Sequence, residues 1–208
     1  MRLESVAAQP DRAGRYTVRF EDGLVLRLYK QTVQDFGLYP GMDMSDDELK
    51  KLQNAASAMS AKMRAVRIVA ASNVSKKDLE QRLVHKGEDP QQAKNAVQWM
   101  EDMQLVDDRR TAEHVVQKCI HKGYGLARAK QALYEKKIPK AYWDEVLAEY
   151  PDQTDSIAQY IRNRLGDSKD PAQVRKVVDA LIRRGHSYGK IRCALDRLSM
   201  ETEYLPEG

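Results

Sequence analysis

One gapless pattern occurs three times along this chain: Leu79-Glu-Gln-Arg-Leu83-Val-His-Lys86-Gly87, Ala129-Lys-Gln-Ala-Leu133-Tyr-Glu-Lys136-Lys137 and Val177-Val-Asp-Ala-Leu181-Ile-Arg-Arg184-Gly185. Each copy runs from an apolar residue through three variable positions to leucine, then through two more to a basic residue. The leucines at 83, 133 and 181 are 50 and 48 residues apart. That period suits one three-helix unit per repeat, and such units bury a continuous core only by stacking on their neighbours. Residues 58–200 therefore read as three tandem three-helix modules.

The punctuation between the copies agrees. Ser75-x-x-Asp78 opens a helix carrying Leu79 and Leu83, and Gly87 closes it; Asp89-Pro90, a cap followed by proline at the first helical position, opens the next, with Ala93, Val97 and Met100. Asp107-Asp108 opens a third with Ala112, Val115, Cys119 and Ile120, ended by Gly123. The same signals recur at Gly125, Pro139, Asp155, Asp170-Pro171 and Ser187. None of these helices is long enough to stand alone, so each depends on packing.

Ahead of the repeats the period changes. Tyr16, Val18 and Phe20 alternate with polar residues, Glu21-Asp22-Gly23 supplies a turn, and Leu24, Leu26 and Leu28 alternate again. This predicts a hairpin with one apolar face, for which residues 2–7 are a candidate third strand, since two strands alone are marginal in water. From Ser45, Leu49, Leu52, Ala56, Met59, Met63, Val66 and Ala70 keep three-four spacing, and Ser45 with Glu48 forms a capping box, so a long amphipathic helix follows.

The expected fold class is mainly α: three tandem three-helix repeats forming an elongated curved body, preceded by a small N-terminal β-hairpin. The expected divisions are 1–44 for the hairpin extension, 45–107 for the long helix and first repeat, 108–152 for the second repeat, and 153–208 for the third repeat and C-terminal tail.

Composition removes several classes of function. The two cysteines, Cys119 and Cys193, form no ligand or disulfide spacing and read as small buried hydrophobes. The opening Met-Arg-Leu-Glu-Ser-Val lacks the apolar run of a signal peptide, and no stretch has the length of a membrane helix, which predicts a cytoplasmic protein. There is no P-loop and no GxGxxG after a strand. His114 and His121 are seven apart on one helix with no HExxH pattern, and His85 and His186 fall elsewhere, so no metal, cofactor or catalytic residue is expected. Gly123-Tyr124-Gly125 lies between helices, where helix termination explains it.

The +4 net charge is unevenly spread. Residues 109–140 hold 9 basic and 2 acidic side chains, and 158–192 hold 9 and 3, whereas 1–57 hold 8 and 9. The candidate partner- or DNA-binding residues are Arg109, Arg110, Lys118, Lys122 and Arg128 in the second repeat, and Arg162, Arg164, Arg175, Lys176, Arg183, Arg184, Lys190 and Arg192 in the third. A solvated helix face explains such charge equally well. Basic residues in final helical turns, such as Lys86, Lys136 and Arg184, also suit the helix dipole. Tyr124, Tyr134, Tyr160 and Tyr188 lie among these charges and can stack on bases, anchor a protein contact or pack.

Asp107-Asp108 with Ala112, then Gly123-Tyr124-Gly125 and Leu133-x-x-Lys136, resembles the central signature of the RecX regulatory proteins. Leu181-Ile-Arg-Arg-Gly185 followed by Ser187-Tyr188 and Ile191 is similar to their C-terminal signature. Lys137 stands where the family usually has glycine, His186 where phenylalanine is usual, Thr111 where an aromatic is common, and Ala129 where isoleucine is. The resemblance implies an elongated, non-enzymatic regulator lying along the groove of the RecA–DNA filament and restraining its assembly, ATPase and strand exchange in recombination and the SOS response; nothing in the sequence calls for an oligomer, so a monomer is expected. Read from the residues alone, a stand-alone DNA- or RNA-binding module and a helical scaffold for another protein remain open.

Overall fold

The computed structural model describes residues 1–166, 168 and 170–203, with side chains described to Leu198. The tail expected at 204–208 lies outside the described residues. The chain divides into two compact units, Met1–Val106 and Asp107–Gly208.

The first unit begins with three antiparallel strands, β1 (Leu3–Val6), β2 (Arg15–Phe20) and β3 (Val25–Tyr29), in that order across the sheet. The expected hairpin is thus completed by its third strand. Val18 pairs with Leu26 and Tyr16 with Leu28, so the alternating residues share one face. Leu3, Val18, Phe20 and Leu28 are buried there. A short helix, α1 (Lys30–Asp35), continues directly from β3. It escapes the sequence reading because six residues are too few to display a helical period.

The long helix is α2 (Asp46–Ala71). Its capping box is complete: the Ser45 hydroxyl accepts from the Glu48 N–H, and the Glu48 carboxylate accepts from the Ser45 N–H at 2.8 Å. The helix serves two cores in succession. Leu49 and Leu52 close the sheet's apolar face, whereas Ala61 and Ala65 meet α3 (Lys76–His85) and α4 (Pro90–Asp102) around Leu79, Leu83, Ala93, Ala96, Val97 and Met100. Here the expected stripe needs correction. Met59, Met63 and Val66 are only partly buried and Ala70 is exposed, while the two alanines are fully buried. Small side chains let helix backbones approach closely, so the alanine face is pressed against α4 and the larger residues fill its edges.

The second unit holds the second and third repeats. The second comprises α5 (Asp108–His121), α6 (Leu126–Glu135), a 3₁₀ turn (Lys140–Tyr142) and the short α7 (Trp143–Leu147). The third comprises α8 (Thr154–Leu165), α9 (Pro171–Arg183) and α10 (Tyr188–Glu203). Helix α8 starts one residue before the expected Asp155, because the Asp152 carboxylate accepts from both the Thr154 N–H and its hydroxyl. Cys119 is buried as expected, but Cys193 is exposed: it falls on the face of α10 opposite Ile191 and Ala194.

The repeated leucines Leu83, Leu133 and Leu181 are 0%, 0% and 1% exposed, each at the centre of its own three-helix core. Burying one such side chain contributes roughly 1.5–3 kcal/mol. The residue after the repeated basic position is left-handed in every copy, with φ +87° at Gly87, +56° at Lys137 and +86° at Gly185. Lys137 therefore adopts a conformation that costs a side-chain-bearing residue about 1 kcal/mol or more.

Candidate functional site

In the second unit the two motifs singled out in the sequence meet each other. The α5–α6 loop, Gly123-Tyr124-Gly125, crosses the α9–α10 loop, Arg184-Gly185-His186, and the backbones bond directly. The Gly125 N–H donates to the Arg184 carbonyl at 2.9 Å and the Ala127 N–H to the Gly185 carbonyl at 3.3 Å. There is no room for a side chain at the crossing: a Cβ on Gly125 would lie 2.0 Å from the Gly185 carbonyl oxygen, and one on Gly185 would lie 2.3 Å from the Arg128 nitrogen.

Side chains lock the joint from several directions. The Arg184 guanidinium donates to the Lys122 carbonyl and sits 5.0 Å and 5.2 Å from the ring centres of Tyr124 and Tyr160. His186 is buried with Nε2 3.1 Å from the Gly123 carbonyl, and the Tyr150 hydroxyl donates to the Tyr124 carbonyl at 2.6 Å. Lys190 reaches back from α10 to Asp152 at 3.0 Å, and that hydrogen bond holds the Asp152 carboxyl below its usual range. Burial pushes the Tyr150 phenol up to about 12, so it remains a donor at every ordinary pH.

The candidate basic residues separate accordingly. Arg184 and Lys190 are engaged in the joint, while Arg128 chelates Glu135 at 2.8 Å and depresses that carboxyl. Arg109 bridges Glu113 and Glu145, and Arg192 lies 3.9 Å from Asp196. Lys122 lies over Tyr124 and Arg164 over Tyr160, at 6.0 Å and 5.5 Å from the ring centres, and Arg162 is exposed on α8. Among the described residues Arg110, Lys118, Arg175, Lys176 and Arg183 are exposed and make no ion pair. Arg110 and Lys118 are eight apart on α5, as are Arg175 and Arg183 on α9, so each pair shares a helix face. The tyrosines divide likewise: Tyr124 and Tyr160 pack beneath Arg184, whereas Tyr134 and Tyr188 are exposed.

Two concavities flank the joint. A cleft of about 470 Å³ is lined by His121, Lys122, Asp155, Tyr160, Asn163 and Arg184 among others. A more apolar groove of about 480 Å³ lies between the starts of α6 and α10 and includes Gln153, whose Oε1 is buried without a hydrogen-bond partner among the described residues. An unsatisfied buried acceptor costs about 1–3 kcal/mol. The sequence reading missed both concavities and Gln153; Gly125 and Gly185 were the available signal, since paired glycines in separate loops are what a close backbone crossing requires. No group of three or more His, Cys, Asp and Glu side chains that could hold a metal occurs among the described residues.

Comparison with known proteins places this architecture. Residues 107–147 match the family model described as RecX, second three-helix domain. The regulatory protein RecX of Xanthomonas axonopodis pv. citri is 31% identical over 134 residues, covering 63% of this chain and 83% of that protein. The chain belongs to the RecX family. RecX of Clostridioides difficile is 25% identical over 210 residues, 97% of this chain and 98% of its own length. The fold is shared with a crystal structure of regulatory protein RecX at TM-score 0.65 and 17% identity, covering 94% of this chain and 98% of that one. It is also shared with RecX from Lactobacillus salivarius, at TM-score 0.59 and 19% identity over 70% and 99% of the two chains. No helix among the described residues is long and apolar enough to cross a membrane.

Within the RecX family frame, the histidine at 186 makes the joint respond to pH. Burial is the main reason its pKa falls below the usual 6.5; the bond to Gly123 opposes this, while Arg184 and Lys190 add to it. The unfolded chain therefore takes up this proton at a higher pH than the folded one. Stability contributed by His186 is complete above about pH 6.5 and declines as pH falls from there toward the lower folded value. Urea titrations at about pH 7.5 and 5.5 should show the wild-type midpoint lower at the acidic value. His186→Phe, which removes the titrating ring nitrogens, should narrow that gap; an unchanged gap would show that other groups set it.

Proposed function

We propose that this RecX-family protein is a non-enzymatic regulator that binds the RecA nucleoprotein filament and restrains its assembly and ATPase, using the basic faces of α5 and α9. Family membership supports a regulatory role. The observation that carries the mode of action is the set of cations on those faces without ion-pair partners among the described residues, Arg110, Lys118, Arg175, Lys176 and Arg183, on two repeats joined by direct backbone bonds. Cations left without carboxylates attract an anionic surface over a range set by the Debye length, about 8 Å at physiological salt. Binding energy alone biases filament growth when the protein prefers one filament state over another.

The test is RecA's DNA-dependent ATP hydrolysis with increasing amounts of the full chain. Inhibition at stoichiometric levels is expected. No change, with a known regulator active beside it, removes the proposal. Equally tight binding to single-stranded DNA without RecA, falling steeply with salt, would instead assign the same faces to nucleic acid alone.

A further inference from the structure

We propose that the apolar groove beside the joint is a docking site for an acidic peptide segment of a protein partner, one that inserts a large apolar side chain. None of the five cations assigned to the filament lines this groove, and the proposal does not depend on whether they bind RecA.

Leu126 and Ile182 are 42% and 47% exposed, and with Ala127 and Pro151 they give the groove its apolar lining. Two large aliphatic side chains facing one concavity leave water only when something covers them. The groove's volume of about 480 Å³ accommodates an anchor side chain and its flanking backbone.

Charge selects the flanks. Lys130 on α6 lines the groove with no ion pair among the described residues, and Lys190 lines it opposite, paired with Asp152. Helices α6 and α10 both begin here, and helix starts carry partial positive charge on N–H groups that lack intrahelical partners. An anionic occupant is favoured.

The apolar lining decides between peptide and nucleic acid. A large apolar side chain covers Leu126 and Ile182, whereas a charged phosphodiester backbone gains nothing by lying against them.

The probe is a short fluorescein-labelled peptide rich in aspartate and glutamate with a central leucine-phenylalanine pair, titrated with the full chain and followed by anisotropy. Saturable binding is expected, about tenfold or more weaker when the central pair is replaced by alanine or the acidic flanks by lysine. Ile182→Asp should weaken binding by at least about tenfold. Lys130→Glu, at an exposed position, keeps the test decisive where Ile182→Asp impairs folding. Three peptides that bind alike, no saturable binding, variants that bind as wild type, or displacement of the acidic peptide by oligothymidine each overturns the proposal. The titration contains no RecA, so its failure and failure of the ATPase test are separate results.

Discussion

Gly125→Ala should cost the second unit about 3 kcal/mol or more, at or beyond the upper range for overpacking. Gly125 has φ −75°, an ordinary value for alanine, so backbone strain contributes nothing. What the methyl meets is fixed backbone: the Gly185 carbonyl oxygen at 2.0 Å and its carbon at 2.3 Å. A carbonyl cannot rotate away as a side-chain tip does, so the two loops must separate. The bonds from the Gly125 and Ala127 N–H groups, the Arg184 contact with Lys122 and the His186 contact with Gly123 then weaken together. For a unit of this size a loss of 3 kcal/mol lowers the melting temperature by roughly 10 °C or more. Hydrogen exchange should show the loss of protection concentrated at residues 122–127 and 184–191, with the first unit unchanged. A melting temperature within about a degree of wild type would mean that the crossing is looser than these distances imply.

The second large effect is expected in binding. Replacing Arg110, Lys118, Arg175 and Arg183 with glutamate turns four cations without ion-pair partners on two helix faces into anions. Each lies on the surface, so stability should change by no more than about 0.5 kcal/mol per site. Affinity for the RecA filament should fall about 100-fold, through a slower association rate and a reduced dependence on salt. A matched variant tests the division of roles. Arg109→Glu and Arg192→Glu alter cations that already have carboxylate neighbours, and they should reduce affinity far less. If the four-site variant folds and binds filaments as well as wild type, α5 and α9 are not the contact surface. Arg184 does not belong in this experiment, because its reversal would dismantle the joint.

Much of the architecture was written in short-range signals. Ser45 with Glu48, Asp89-Pro90 and Asp170-Pro171 each act within one helical turn, so they can be read without knowing what lies across the chain. The leucines at 83, 133 and 181 were legible because a three-helix unit repeats its most buried position. Where packing chose between two permissible faces, pattern alone misled. The Met and Val residues of α2 looked like its core stripe, but Ala61 and Ala65 are the residues that vanish against α4. Cys193 looked buried by composition and lies outside.

The charge pattern was legible as a quantity and not as a surface. Thirteen basic residues in the second and third repeats could be counted from the sequence. Which of them meet partners 36 to 62 positions away could not, because Arg109 meets Glu145, Lys190 meets Asp152 and Arg184 meets the Lys122 carbonyl only once the helices have docked. The three tandem helical repeats follow from local capping and periodicity, and the sequence alone determined them. The crossing of Gly125 with Gly185, the cations left without partners and the groove over Gln153 depend on contacts between distant segments, and only the tertiary structure decided them.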